Sequence, residues 1–152
     1  MSLSKLQQLY RQVIVDAASR PAQWGTVAND APHVHAVNPS CGDVLDLRAN
    51  WTADGQLTGI QIDAIGCTIS RASATLLVDA VKGKRVGAAA QLSHDFNAMI
   101  TANGPVLKHV DAGALASVSQ FPARVKCALL AWDALTQVLT EGGAIDAGDQ
   151  EQ

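Results

Sequence analysis

At 152 residues the chain is long enough for one domain with a modest core, and its 48% hydrophobic and 16% charged residues are a globular composition. A formal net charge of −3 argues against a dominant nucleic-acid role, which needs a basic face. No apolar run approaches the roughly 18–20 residues that span a bilayer, and Met1–Tyr10 lacks the basic-then-apolar order of a secretory signal, so the expected compartment is the cytoplasm.

Ser4 followed by Gln7 reads as a capping box, and Leu6, Leu9, Tyr10, Val13, Ile14 and Ala17 recur at helical spacing, predicting a helix over 4–18. Residues 19–33 hold Pro21, Gly25 and Pro32 and read as a loop, with a short strand over 34–37. After Cys41-Gly42-Asp43 the period changes. Leu45, Leu47, Ala49 and Trp51 alternate with Asp46, Arg48 and Asn50, which is a half-buried strand. Asp54-Gly55 signals a hairpin turn, and Ile60, Ile62 and Ala64 alternate on the returning strand. From Thr68 the helical period returns through Ile69, Ala72, Leu76 and Ala80 and stops near Gly83. A second helix is predicted over 88–102, a short helix between loops within 106–120, and a last helix opened by Pro122, where a missing N–H costs least. These elements predict an α+β fold, a small antiparallel β-sheet packed against helices. Residues 1–140 form a single domain in this reading, and 141–152 a flexible acidic tail.

The three cysteines carry the chemistry. An odd number leaves one over in any disulfide framework, and in a reducing compartment cysteines serve more often as metal ligands, nucleophiles or core fillers. Cys41 lies in a turn feeding a strand, Cys67 follows Gly66 where the second strand gives way to a helix, and Cys127 sits early in the last helix. All three are expected at element ends, where side chains converge at a surface, and Gly42 and Gly66 would let the backbone approach a bound ion. The competing reading, that each cysteine fills core, loses weight from this shared placement.

Zn²⁺ takes four ligands in a tetrahedron, and three thiolates leave one corner open. Asp43, two residues from Cys41, is the nearest candidate, but a turn-forming Asp after Gly is an equally good reading. Cys67 at a helix N-terminus gains thiolate character from the helix dipole. Arg124, three residues before Cys127, falls on the same helical face as that cysteine and is a cation that could steady a thiolate, though a solvated surface charge is the usual role of such a residue. Lys126 adds a second cation pointing elsewhere. His33 and His35 form an H-x-H read as lying in a loop before the cysteine turn, a weak metal signal, whereas His94 and His109 read as surface or partly buried polar residues. Phosphate-loop, dinucleotide and nucleophile-elbow motifs are absent, which removes support for nucleotide and serine chemistry.

Three segments together resemble the SufU branch of the IscU/NifU N-terminal-domain family of iron–sulfur assembly proteins. They are Asn38-Pro39-Ser40-Cys41-Gly42-Asp43, then Ile65-Gly66-Cys67-Thr68-Ile69-Ser70-Arg71-Ala72-Ser73-Ala74, then Phe121-Pro122-Ala123-Arg124-Val125-Lys126-Cys127-Ala128-Leu129-Leu130-Ala131-Trp132. The similarity runs from about Leu9 to Leu139. Scaffolds of the IscU type carry His directly before the last cysteine. This chain has Lys126 there, Arg124 two places earlier, and 127 − 67 = 60 positions between the last two cysteines, all in keeping with the SufU branch.

The resemblance implies an IscU/SufU-like fold and a Zn²⁺ held by Cys41, Asp43, Cys67 and Cys127, with iron or a transient [2Fe–2S] cluster as the other occupant. It further implies a zinc-dependent sulfurtransferase that acts with a pyridoxal-phosphate cysteine desulfurase of the SufS type rather than alone. In that branch the desulfurase is thought to lend a His to the zinc and free Cys41 to accept sulfane sulfur, assisted by Arg124. The sulfur then passes to a downstream assembly scaffold or apo-protein, with no nucleic acid and no membrane involved. One departure bears on the desulfurase contact: Ala17 and Ala18 stand where the family commonly has aromatic and histidine residues. The alternative function is a scaffold on which a [2Fe–2S] cluster is built, which the missing histidine at position 126 disfavours. A stand-alone thiol enzyme ranks last, because no histidine sits in a motif near a cysteine.

Overall fold

The computed structural model describes residues 3–102, 104–108 and 110–145, with side chains from residue 8 onward. The side chains of Ser4 and Gln7, His109, and the tail from residue 146 lie outside the described residues.

Leu3–Ala18 form α1, whose Val13, Ile14 and Ala17 face the core while Leu9, expected on the same stripe, is exposed. Four strands follow: β1 Ala22–Gly25, β2 His33–Asn38, β3 Asp43–Trp51 and β4 Leu57–Ile65. They form one antiparallel sheet in the order β1-β4-β3-β2. The first strand corrects the loop predicted over 19–33, since Ala22 pairs with Ile62 and Trp24 with Ile60. Its four residues follow Pro21 and end on Gly25, and this punctuation hid an edge strand that its pairing with β4 and its packing on α2 stabilise.

The predicted hairpin is β3–β4. Leu47 faces Ile62 and Ala49 faces Ile60 in register, with an irregularity at Asn50/Trp51 beside the turn. Leu45, Leu47 and Ala49 are fully buried on one face of β3, whereas Asp46 and Arg48 point to the other, as strict alternation requires.

The inward face is covered by two helices. Helix α2, Thr68–Val81, lies against β1 and β4; α4, Pro122–Glu141, lies against β2 and β3. Between them in sequence come α3, Val86–Thr101, and a 3₁₀ segment, Asp111–Gln120, where a short helix was expected. Helix α1 packs on α2, and α3 on α4. Few aromatics serve this core, and the largest pair is stacked: the rings of Phe96 and Trp132 lie 4.2 Å apart at 7°. Trp132 donates its Nε1–H to Ser73 Oγ, and Ser73 donates to the Ala128 carbonyl, so a buried hydroxyl ties α2 to α4 one residue from Cys127. Beyond α4, Ala144 and Ile145 pack against the core. No helix among the described residues is long and apolar enough to cross a membrane.

The architecture thus leaves three segment ends meeting at one edge of the sheet: the β2–β3 turn, the β4–α2 junction and the start of α4.

Candidate metal centre

The β2–β3 turn is built by Asn38. Its backbone carbonyl accepts the N–H groups of Cys41 and Gly42, and its side-chain Oδ1 accepts that of Ser40, an Asx turn that caps the hairpin. Gly42 has φ +74, so glycine here serves a left-handed turn rather than close approach to an ion. Cys41 is thereby lifted to the surface and Asp43 is turned inward as the first residue of β3.

Asp43 is 1% exposed, and its Oδ1 accepts the Cys67 backbone N–H at 3.0 Å. A carboxylate this buried is not a solvent-facing turn former. Cys67 occupies the N-cap of α2, and its Sγ accepts the Ser70 N–H at 3.4 Å, the place where Ser or Asp usually caps a helix. The sulfur therefore sits at the positive end of the helix, where negative charge is favoured. Its Sγ also lies 3.9 Å from Asp43 Oδ2.

Cys127, in the second turn of α4, is 0% exposed, which corrects the expectation that all three cysteines lie at a surface. Helix α4 packs against β2 and β3, and its sixth residue is already buried. Cys127 Sγ is 3.0 Å from Cys41 Sγ, and one acidic or sulfur atom from each of Cys41, Asp43 and Cys127 lies within 4.8 Å of the others. Burial pushes the Cys127 thiol well above the ordinary range, and its hydrogen bonds to Cys41, Asp43 and Cys67 push the same way.

Cys41, Asp43 and Cys127 are thus brought within ligand distance of one another, while Cys67 lies outside that group and beside it, against Asp43; exposure falls from Cys41 through Cys67 to Cys127. Two thiols and a carboxylate at this spacing, with a third thiol beside them, are donor types that an ion of borderline softness takes. Arg124 and Lys126 are both exposed, and Arg124 makes no side-chain hydrogen bond or ion pair among the described residues.

His33 and His35 do not join this cluster, and they are not in a loop. Both stand on the outward face of β2, where ring nitrogens of each approach the same Asp46 oxygen at 2.9 Å. His35 first, then His33, holds the Asp46 carboxyl below its usual range. His94 is half-buried on α3. A residue the sequence reasoning quoted without a role is Asn38, buried and within hydrogen-bond distance of two of the sulfurs. An Asn directly before Pro and a turn was the available signal.

This geometry can be set beside known proteins. Residues 9–141 match the family model described as NifU-like N terminal domain. The chain is 39% identical over 145 residues to a zinc-dependent sulfurtransferase SufU of Bacillus subtilis (strain 168), covering 92% of this chain and 97% of that one. It is 38% identical over 141 residues to an iron–sulfur cluster assembly scaffold protein IscU of Streptococcus pyogenes serotype M1, covering 91% and 87%. In fold it is similar to the N-terminal part of a NifU-like protein from Brucella abortus, with a TM-score of 0.79 over 93% of this chain and 99% of that one, at 19% identity. A match over most of its length, with the three cysteine segments meeting at one sheet edge, makes this chain a member of the NifU-like N-terminal domain family of iron–sulfur cluster assembly proteins.

Proposed function

We propose that Cys41, Asp43, Cys67 and Cys127 bind one zinc ion and that Cys41 accepts sulfane sulfur from the persulfide of a SufS-type cysteine desulfurase. The observation that carries this reading is the graded exposure of a converged ligand set. Cys127 and Asp43 are buried, Cys67 is half-buried, and Cys41 alone is exposed on a turn that can meet an incoming group. The ion, when bound, keeps the thiols deprotonated at neutral pH, as metal binding to cysteine always requires.

The chain's own residues supply the rest. The Cys41 thiolate attacks the outer sulfur of the donor persulfide. The bond between that sulfur and the donor cysteine breaks, its electron pair leaves with the donor thiolate, and Cys41 carries the new persulfide. No net oxidation occurs. Arg124, exposed and next in sequence to Ala123, whose carbonyl lies 3.9 Å from Cys41 Sγ, would offset the negative charge passing between the two proteins. Cys67 and Cys127 do not accept sulfur in this scheme; they hold the site in shape while Cys41 reacts.

The relative from Streptococcus is named as a scaffold, so cluster assembly on the same thiolates is the second reading. Lys126, where an IscU-type scaffold has histidine, supports sulfur transfer over it.

The test incubates the full chain with a SufS-type desulfurase and cysteine, then maps added sulfur by mass spectrometry. Wild-type protein, purified colourless with about one zinc per chain, is expected to gain sulfur on Cys41, and Cys41→Ala to gain none. Persulfide uptake by Cys41→Ala would overturn the assignment of the acceptor. A brown protein bearing iron and labile sulfide would favour the scaffold instead.

A further inference from the structure

Every anion of the site needs a hydrogen-bond donor, and the donors are unevenly distributed. Asp43 has the Cys67 backbone N–H, and Cys67 has the Ser70 backbone N–H. Cys41 and Cys127 have no backbone donor among the described residues. The backbone group within hydrogen-bond distance of both sulfurs is an acceptor, the Ala123 carbonyl oxygen, 3.9 Å from Cys41 Sγ and 3.8 Å from Cys127 Sγ. That oxygen suits two neutral thiols, which can donate to it. It repels two thiolates, because a carbonyl oxygen can only accept.

One side chain compensates. Asn38 Nδ2 lies 3.2 Å from Cys41 Sγ and 3.8 Å from Cys127 Sγ. Chemistry decides which end of the amide faces the sulfurs: the Ser40 backbone N–H can only donate, so the atom 3.2 Å from it is Oδ1, and the NH₂ end points at the sulfurs. Asn38 is 4% exposed, so water does not replace that donor.

We infer that Asn38 is a positioning residue of this site, whose side-chain amide, aimed by the Ser40 N–H, donates to the Cys41 and Cys127 thiolates and sets their charge and placement. The inference rests on the metal-site reading above. Three thiolates and a carboxylate bring four negative charges to one divalent ion, so the excess must be met by N–H groups around the ligands. Asn38 covers the two sulfurs that the backbone leaves bare. It also links the reactive sulfur to the buried one, so that Cys41 is held in the site without being locked there by a backbone bond.

The test uses Asn38→Ser, whose short hydroxyl still accepts the Ser40 N–H but does not extend to the sulfurs. Asn38→Ala is read in parallel should the serine variant not fold. The full chain is loaded with Co²⁺ in place of zinc, the sulfur-to-cobalt charge-transfer band is recorded, and zinc affinity is measured against a chelator. Thermal unfolding of the metal-free proteins separates folding from ligand effects.

A donor removed from thiolate sulfur raises the energy of its lone pairs, so the band is expected to move to longer wavelength, with zinc affinity falling about tenfold or more. A variant with the wild-type band and wild-type affinity would overturn the role of Asn38 while leaving the metal site standing. Wild-type protein that takes up no cobalt at all would instead overturn the metal-site reading and the role of Asn38 with it. A lower melting temperature with an unmoved band would make Asn38 a turn former only, and that also overturns the inference.

Discussion

A methyl group on Gly66 would come within 2.2 Å of Asp43 Oδ1 and 2.8 Å of its carboxyl carbon. Glycine at this position is what lets a buried carboxylate stand against the β4–α2 junction and take the Cys67 N–H. Gly66→Ala must therefore swing the Asp43 side chain away from the sulfurs, which is the cheapest relief open to it. The expected outcome is a folded protein that loses zinc to a chelator about ten times or more as readily as wild type, matching Asp43→Ala. Zinc retention by Gly66→Ala equal to wild type would show that the carboxylate is not needed. This residue also shows where sequence reasoning stops. Spacing alone left Asp43 divided between ligand and turn former; burial decides against the turn, and burial depends on where α2 crosses the sheet. The same limit applies to Cys127, expected near a surface and found beneath one, and to Gly42, expected to make room and found to supply a left-handed turn.

Helix α2 is tied to α4 beside the site by a buried hydroxyl. Ser73 Oγ accepts from Trp132 and donates to the Ala128 carbonyl, in a region with no water-facing atom. Ser73→Ala leaves the indole N–H and that carbonyl without this partner. Each such loss costs about 1–3 kcal/mol, so stability measured by urea unfolding should fall by roughly that amount or more, with the unfolding slope unchanged. A loss within 0.5 kcal/mol of zero, the range usual for surface changes, would mean that the hydroxyl is not the tie between the two helices. At this scale most of the fold was legible. The β3–β4 hairpin, α1, α2, α3 and α4 all carry strong periodicity, and each is found where the period places it. What was not legible lacks period. Strand β1 is too short for alternation to register between Pro21 and Gly25. The paired histidines looked like loop residues because the run around them is short, with Val34 alone between them, and their common partner Asp46 lies on another strand. Long-range pairing of this kind leaves no local trace.

At the scale of the molecule, large exposed apolar side chains are few among the described residues, and three of them border the cysteine edge. Ile65, the last residue of β4, is 76% exposed; Phe121, just before α4, is 58% exposed; Val37, beside Asn38, is 49% exposed. Val37, Val44 and Ile65 are also neighbours across β2, β3 and β4, forming one outward row one residue from Asp43 and two from Cys67. Single exposed apolar residues need no explanation, but a row of them beside an exposed thiol differs. A sulfur donor that reaches Cys41 across the sheet would cover this row as well. Burying an isoleucine contributes about 1.5–3 kcal/mol. Placing a carboxylate there instead is then expected to weaken binding of a SufS-type desulfurase roughly tenfold or more. The measurement is titration calorimetry of Ile65→Asp against the desulfurase, beside zinc content and melting temperature, both of which should stay at wild-type values because the side chain points into solvent. Unchanged affinity would place the donor on another side of Cys41, against α4 and Arg124 rather than across the sheet. In that case Arg124→Ala, not Ile65→Asp, would carry the loss, so the two variants together assign the direction from which sulfur arrives.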